Sequence, residues 1–243
     1  MQSLPILMYH QVGNFKRIKS HRATFCRYSR FKTQMAYFKA MGYCVMGLSE
    51  GFRRLKEGLL PRRSIILTFD DGYADFYYLV APLLRKYGFG ATVFVLGNMI
   101  GKSASWLRDL GYGESPLLDA HMIKALSKEG IEFGSHGMNH LDLTEITEDE
   151  LEEEVFESKR IIENITNTPV RSFCYPYGRF NESVLEMVKK ADYEMAVTCE
   201  RGRATSQSEP YLLPRIAVSF GDSLAGLLWK IYVKAKPVVS DET

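Results

Sequence analysis

Hydrophobic positions follow two alternating patterns along almost the whole chain. Short apolar runs rich in β-branched residues are typical of strands buried on both faces. Between them lie amphipathic segments with an apolar residue every three or four positions, which is typical of helices. The predicted strands cover residues 4–9, 43–46, 64–70, 91–96, 131–135, 170–175, 194–199 and 212–218. The predicted helices cover residues 31–41, 49–56, 74–87, 119–129, 147–165, 183–191 and a last segment after 218.

This alternation predicts an α/β protein with a parallel sheet, either open or closed into a barrel. In both architectures the chemistry belongs at the carboxyl ends of the strands. Polar residues stand at several of these ends, namely Tyr9, His10, Asp70, Asp71, His136 and the segment 175–178. Arg215 lies within the last predicted strand. The sequence therefore predicts an active site at one rim of the sheet.

Two adjacent carboxylates, Asp70 and Asp71, follow the strand that contains the apolar run Ile65–Leu67. Neighbouring carboxylates repel each other and lose hydration at such a position, so a cation, a hydrogen-bond network or a proton must relieve them. One interpretation is that one aspartate binds a metal while the other works as a base. The alternative is a turn that caps the following helix, and the dipeptide alone does not decide between them.

A second candidate lies at the end of another strand, where His136 and His140 are separated by three residues. This spacing places both imidazoles on the same side of one helical turn, facing a common ion. Surface histidines also pair by chance at this distance. Together with one carboxylate, however, two histidines form a facial set for zinc that leaves positions open for water and substrate.

Composition narrows the function classes only slightly. The chain has 243 residues, 46% hydrophobic content and a formal net charge of +2, which fits one domain and gives no indication of nucleic-acid binding. The charges are uneven: segment 16–32 carries seven Lys or Arg and no acid, whereas segment 145–157 carries eight acids and no base. Such runs are usually solvated faces. The acids also lie where a helix dipole favours them, so the acidic run requires no partner.

The cysteines and the first residues of the chain predict its cellular compartment. Four cysteines without a C-x-x-C pair indicate reduced thiols. The first residues have no basic region and too short an apolar run for a secretory signal. No stretch reaches the ~20 apolar residues that span a bilayer. We therefore expect a cytoplasmic protein.

Three short motifs, in this order along the chain, resemble those of a known protein family. Thr68–Gly72 is T-F-D-D-G, Ser135–His140 is S-H-x-x-x-H, and Tyr175–Gly178 is Y-P-Y-G. Together they resemble the polysaccharide deacetylases, also called NodB-homology or carbohydrate esterase family 4 proteins. The opening I-L-M-Y-H-Q-V and the late L-P-R-I are similar to the branch with poly-N-acetylglucosamine deacetylases. The resemblance implies a distorted (β/α)7–8 barrel forming a single domain over 1–243, with its motifs within about 4–218.

The resemblance also implies roles for individual residues. Asp70 would be the catalytic base, and Asp71, His136 and His140 would bind a divalent metal, with Zn²⁺ expected. Tyr177 and Tyr175 lie in the motif that lines the acetate and oxyanion side.

The leaving amine needs a general acid. Our candidate is His10, which closes the first strand on the same rim, because histidine is the residue type that most often transfers protons in catalysis. The alternative is a core histidine bonded to a backbone carbonyl.

The chain departs from the family pattern at two positions. Gly137 follows the first histidine where Ser or Thr is common, and Cys174 stands where many members have an arginine. We hypothesise that Arg215 replaces that missing charge and orients Asp70. A salt bridge at the barrel rim without a catalytic role is the alternative.

The expected reaction is hydrolytic N-deacetylation of an N-acetylglucosamine-type sugar in a glycan or glycolipid. The basic segment 16–32 lies on the active-site rim, where it could bind phosphates or acidic sugars. The apolar residues of 224–232 could contact an anionic membrane, although packing against the barrel is the preferred interpretation. Two other functions stay open, a metal-dependent phosphoesterase and a glycan-binding protein without turnover.

Overall fold

The computed structural model describes residues 2–106, 108 and 112–238. Its strands are β1 (Ser3–Leu4), β2 (Ile6–Tyr9), β3 (Gln11–Gly13), β4 (Phe25–Arg27), β5 (Cys44–Met46), β6 (Ser64–Phe69), β7 (Thr92–Val95), β8 (Ser103–Ala104), β9 (Ser115–Pro116), β10 (Glu132–Ser135), β11 (Ser172–Cys174), β12 (Met195–Arg201), β13 (Ala204–Thr205) and β14 (Leu213–Ala217). Its α-helices are α1 (Tyr28–Ala40), α2 (Leu48–Lys56), α3 (Ala81–Tyr87), α4 (Ala120–Lys128), α5 (Glu148–Glu152), α6 (Ser158–Thr166), α7 (Glu182–Lys190) and α8 (Leu224–Trp229).

Seven parallel strands close into a barrel in the order β2-β14-β12-β11-β10-β7-β6, and β6 pairs back with β2. The additional strand β5 pairs with the first half of β6, where Cys44 lies opposite Ser64. The second half of β6 pairs instead with β7, where Thr68 lies opposite Thr92. The predicted (β/α)7–8 barrel is therefore confirmed, with seven strands in the closed ring.

The two-residue period of each strand divides its side chains between two apolar layers. Ile66 of β6 packs with Phe94 of β7 in one cluster. Ile65 and Leu67 belong to the large layer between strands and helices. Leu48 and Phe52 of α2 join the first cluster and cover the amino ends of the strands. Apolar packing thus fills one end of the barrel and leaves polar chemistry to the other.

Several helix boundaries differ in detail from the expectation. Ser49 does not cap α2, because the helix begins at Leu48 and the Ser49 hydroxyl donates to Glu132 at 2.7 Å. The predicted helix over 74–87 contains a π-helical turn, Phe76–Val80, before α3. The capping box formed by Thr147 and Glu150 at the start of α5 is confirmed.

The last helix packs against the barrel with one face. Leu227 and Ile231 are fully buried, which agrees with the preferred interpretation of this segment. Trp229, Tyr232 and Val233 remain exposed on the opposite face. Within the described residues, no helix has the length and apolar character needed to cross a membrane. All four cysteines are free thiols.

Candidate active site

A cavity of about 200 Å³ opens at the carboxyl ends of the barrel strands. It is lined by His10, His21, Thr24, Asp70, Asp71, Trp106, His136, His140, Tyr175, Tyr177 and Cys199. Seven of the eight site residues predicted from the sequence are among these, and the eighth, Arg215, lies behind Asp70. The strand-end rule therefore predicted correctly that these side chains meet at one end of the barrel.

Three potential ligands converge in this cavity. Asp71 Oδ1 lies 3.3 Å from His136 Nε2 and 3.5 Å from His140 Nε2. Asp71 Oδ1 is also a buried oxygen without a hydrogen-bond partner among the described residues. An ionised carboxylate oxygen in that position needs a cation or a donor. A divalent metal bound between the carboxylate and the two imidazoles therefore fits this group.

A second group of possible ligands, Asp70, His136 and Cys174, lies beside the first. Both carboxylate oxygens of Asp70, however, accept hydrogen bonds from Arg215 at 2.7 and 2.8 Å. These oxygens are satisfied without an ion, whereas Asp71 Oδ1 is not. The Asp71 group is therefore the better candidate for a metal centre.

Four residues that line the cavity have left-handed backbone conformations, with φ of 48° at His21, 70° at Asp71, 60° at His140 and 59° at Tyr177. Few residues other than glycine adopt this region, and the strain persists only where the surrounding structure enforces it. Such outliers cluster at active sites and ligand clamps. Their concentration in one cavity therefore favours this region as the candidate functional site.

His136 and His140 do converge, but not because they lie on one helical turn, as their spacing predicted. Residues 136–140 form no helix, and Gly137 has φ of +79°. The two imidazoles meet because the chain turns sharply between them. The prediction that both face one point is correct, but the helical turn behind it is wrong.

Glu154 holds this turn and was missed by sequence reasoning. Only 2% of the residue is exposed, and its carboxylate accepts from the backbone N–H groups of Met138 at 2.7 Å and Asn139 at 3.2 Å. A Cβ on Gly137 would lie 2.8 Å from Glu154 Oε2, so the close approach requires glycine there. The expectation that the acidic run is only a solvated face is therefore wrong for Glu154.

The two histidines are held in different ways. His136 Nδ1 lies 2.7 Å from the carbonyl oxygen of Cys174, a contact that orients the ring with Nε2 toward Asp71. Burial opposes the charged form of His136, but its contacts with Cys174 and Asp71 raise its pKa well above the usual value. His140 Nδ1 has no partner among the described residues, and burial lowers the His140 pKa to about 4. A neutral imidazole is the form that binds metals.

Aromatic rings enclose His140 instead. The Trp106 indole stacks on the imidazole with a centroid distance of 5.0 Å, and the Tyr177 ring meets it edge-on at 4.5 Å. The indole N–H also donates to the Tyr73 hydroxyl at 3.1 Å. Trp106 lies between the strand predicted over 91–96 and the helix predicted over 119–129, and the sequence assigned it no role. The one signal was an aromatic residue in a segment too long for a simple loop.

Arg215 lies inside the barrel with 1% exposure and forms a two-pronged contact with Asp70. Its remaining N–H groups donate to Thr198 O, Thr68 Oγ1 and Cys174 Sγ. Burial opposes ionisation of Asp70, but the charge of Arg215 and, next, that of His10 hold the Asp70 pKa below its ordinary value. This contact is a buried pair with every donor occupied, rather than a surface ion pair.

His10 faces the other side of Asp70. His10 Nε2 lies 3.8 Å from Asp70 Oδ2, and His10 Nδ1 is a buried nitrogen with no partner among the described residues. The alternative in which a backbone carbonyl holds this nitrogen therefore has no support in the geometry. One nitrogen of the His10 ring therefore lies near the Asp70 carboxylate, and the ring itself lines the cavity.

Tyr175 and Tyr177 occupy opposite environments. Tyr175 is fully buried, and its hydroxyl has no hydrogen-bond partner among the described residues although the residue lines the cavity. Tyr177 is 57% exposed at the mouth. The Tyr175 ring packs against Phe173 and Phe180 in the large apolar layer.

A larger cavity of about 730 Å³ lies at the amino ends of the strands, where it is bordered by Ser49, Glu132 and Met195. Glu132 is engaged by the Ser49 backbone and hydroxyl. Within the described part of the chain, neither group of candidate metal ligands lies there. The chemistry therefore belongs to the smaller cavity.

The chain is similar to known proteins in sequence and in fold. The family model described as polysaccharide deacetylase matches residues 58–196. YxkH of Bacillus subtilis, named for the same family, is 31% identical over 96% of this chain and 76% of its own length. The poly-β-1,6-N-acetyl-D-glucosamine N-deacetylase of Staphylococcus aureus is 25% identical over 84% of this chain and 70% of its own. The Streptococcus pyogenes deacetylase PplD superposes with a TM-score of 0.79 at 28% identity, over 94% and 98% of the two chains.

Proposed function

Because this chain belongs to the polysaccharide deacetylase family, we propose that it is a carbohydrate N-deacetylase that hydrolyses the acetamide of an N-acetylated sugar. The substrate is an N-acetylglucosamine-type sugar in a glycan or glycolipid, and the products are acetate and the free amine. One observation carries the proposal, the convergence of Asp71, His136 and His140 beside Asp70 in a single cavity.

The metal ligands in this proposal are Asp71, His136 and His140. Two imidazoles and one carboxylate suit Zn²⁺ and leave positions open for water and substrate. When bound, the ion polarises the acetamide carbonyl and lowers the pKa of water. The Cys174 carbonyl oxygen and the turn held by Glu154 fix the two imidazoles in advance, so little reorganisation is needed on binding.

Asp70 is the proposed general base that takes a proton from the attacking water. Arg215 holds both of its carboxylate oxygens, which fixes the direction in which Asp70 faces the cavity. The same charge keeps Asp70 ionised despite its burial, so the proton-accepting form is the resting form. Arg215 is thus a positioning residue that acts through Asp70.

The amine leaves only after it is protonated, and His10 is the proposed general acid. Its Nε2 lies 3.8 Å from the base, so both proton-transfer groups border the same part of the cavity. The segment with Tyr175 and Tyr177 is proposed to line the acetate and oxyanion side, because both residues border the cavity. The similar S. pyogenes deacetylase has been seen with acetate.

Acetate release from a panel of N-acetylglucosamine oligomers and glycolipids tests this function. Each substrate is incubated with chelator-treated protein, zinc-reconstituted protein and Asp70→Asn. We expect metal-dependent acetate that falls about 10³-fold in Asp70→Asn, as the loss of a general base requires. Asp149→Asn removes an exposed acid and serves as the matched control.

Two outcomes would overturn the proposal. Release of phosphate from model esters, without acetate from any glycan, would identify a phosphoesterase. Glycan binding with neither metal binding nor acetate release would identify a binding protein. The metal-site residues are all present and converge, which favours a catalytic role over a binding protein without turnover.

A further inference from the structure

The segment between β3 and β4 carries unpaired positive charge beside the active site. Lys16, Arg17, Lys19 and Arg22 are all exposed, and we call these four side chains the basic rim. Within the described part of the chain, none of them lies within 4.0 Å of a carboxylate. Like charges so close together repel each other.

The segment that carries the basic rim is folded against the protein. Ile18 and Phe25 pack with Phe220 in a small apolar cluster of their own. The Tyr112 hydroxyl accepts from the backbone N–H groups of Lys19 at 3.1 Å and Ser20 at 3.0 Å. The charged side chains are therefore displayed from an ordered backbone, which lowers the entropic cost of binding a ligand.

The segment that carries the basic rim reaches the catalytic cavity. His21 and Thr24 line that cavity, and His21 stands directly between Lys19–Ser20 and Arg22 in the chain. Trp106 packs against the apolar cluster beneath the rim and also stacks on His140. A glycan with one sugar in the cavity would therefore place its neighbouring groups near the basic rim.

We propose that the basic rim binds a phosphate group carried by the glycan next to the sugar that is deacetylated. This inference rests on the proposed function and names its substrate class, an anionic glycan rather than a neutral polymer. Lysine and arginine side chains are the groups that bind phosphate in proteins, and arginine offers paired donors. A neutral N-acetylglucosamine chain has no group that this unpaired charge would match.

The test compares two soluble probes. The first is a neutral N-acetylglucosamine tetramer, chosen because it releases the most acetate among the tetramers of the panel. The second is the same tetramer with a phosphate monoester at one end. The variant changes Lys16, Arg17, Lys19 and Arg22 to Gln. We expect the variant to raise KM for the phosphorylated tetramer at least tenfold, with kcat and the rate on the neutral tetramer within twofold of the wild type. The wild-type preference for the phosphorylated tetramer should also decline with added NaCl, which needs no variant.

A matched control changes Arg62, Lys86, Lys124 and Lys128 to Gln. These side chains are also exposed and removed from the cavity, and both variants lower the formal net charge from +2 to −2. The control should keep the wild-type preference. Circular dichroism verifies that both variants are folded.

Three results would overturn the inference. Equal kcat/KM on the two tetramers at low salt would contradict it while leaving the proposed function intact. An equal effect of the control variant would show that only net charge matters. Sedimentation with phosphatidylglycerol vesicles but not phosphatidylcholine vesicles, without a preference between the tetramers, would assign the rim to membrane phosphates. Failure of the proposed function is distinct, because then neither tetramer releases acetate.

Discussion

The indole of Trp106 lies almost parallel to the imidazole of His140, with 11° between the planes and 5.0 Å between the centroids. His136 is oriented by a carbonyl oxygen, whereas His140 Nδ1 has no such partner among the described residues. Aromatic packing therefore orients the His140 ring, whereas a hydrogen bond orients the His136 ring. The long connection that carries Trp106 thus contributes directly to the candidate metal centre.

Replacing Trp106 should weaken metal binding. Trp106→Leu removes the flat surface that fixes the His140 ring, and lost support of this kind lowers metal affinity by about 10–100-fold. Trp106→Phe should lose less, because a ring remains. Competition with a chromophoric zinc chelator measures the affinity without any substrate. Trp229→Leu, which removes an exposed indole, is the matched control, and an equal affinity in all variants would contradict the role.

Arg215 should be more important for turnover than for substrate binding. Arg215→Lys keeps a charge but cannot donate to both Asp70 oxygens in the same geometry. We expect kcat to fall about 10²-fold with KM nearly unchanged, as a misplaced base implies. Full activity in this variant would show that the pair is only structural.

The same pair predicts a stability effect. Arg215→Met removes both hydrogen-bond donors from the buried Asp70 carboxylate, and breaking a buried pair in this way destabilises a protein by about 3–5 kcal/mol. The double variant Asp70→Asn/Arg215→Met removes that charge and should recover part of the loss. Urea unfolding measures the free energy of unfolding for each protein. Equal losses in the single and double variants would indicate that lost packing, not the unpaired charge, dominates.

Glu154 should affect the metal site from a distance. Glu154→Ala removes the acceptor for the N–H groups of Met138 and Asn139, and each unsatisfied buried group costs about 1–3 kcal/mol. Zinc affinity should fall together with stability, because the turn between the two histidines loses its support. Glu152→Ala is the matched control on the exposed face of the same helical stretch. Wild-type zinc affinity in Glu154→Ala would contradict this coupling.

His10→Gln should separate acid catalysis from metal binding. His10 faces Asp70 but lies outside the group that converges on the metal position, so zinc affinity should remain within about twofold of the wild type. Loss of a general acid lowers kcat by about 10²–10⁴-fold. His121→Gln, at an exposed position on α4, is the control. An unchanged kcat would leave His10 with a structural role only.

Much of this architecture follows from local sequence patterns. The barrel was predictable because buried parallel strands are continuous apolar runs and helices repeat every 3.6 residues. The rim position of Asp70, Asp71, His136 and His10 followed from the rule that strands of a parallel sheet end at one edge. Even the contact of Arg215 with Asp70 could be predicted, because the strands that carry the two residues belong to the same predicted sheet.

The features that sequence reasoning missed depend on long-range packing. Trp106 reaches His140 from a connection whose path no local pattern specifies. Glu154 is one of eight acids in segment 145–157, so the sequence does not distinguish it from the exposed ones. Its burial depends on the π-helical stretch Glu153–Glu157 and on the turn at Gly137. The helical placement of the two histidines was wrong because spacing along a chain does not determine its backbone conformation.

The carboxyl group of Asp75 predicts a pH dependence of stability. Asp75 Oδ2 accepts from the Val12 N–H at 2.9 Å, whereas Oδ1 is buried without a partner among the described residues. Burial raises the Asp75 pKa to about 8, although the bond from Val12 acts in the opposite direction. In the unfolded chain the pKa is about 3.9, so between these values the folded state holds a proton that the unfolded state has released.

Stability should therefore fall as the pH rises from about 4 to 8, by up to about 1.4 kcal/mol per pH unit from this group alone. Asp75→Asn keeps an acceptor for Val12 but cannot ionise, so its contribution should not change with pH. Urea unfolding of both proteins from pH 5 to 8 isolates the effect, because other titrating groups cancel in the difference. We expect the variant to gain stability over the wild type steadily as the pH rises. Parallel stability curves would mean that Asp75 is already ionised in the folded protein at pH 5.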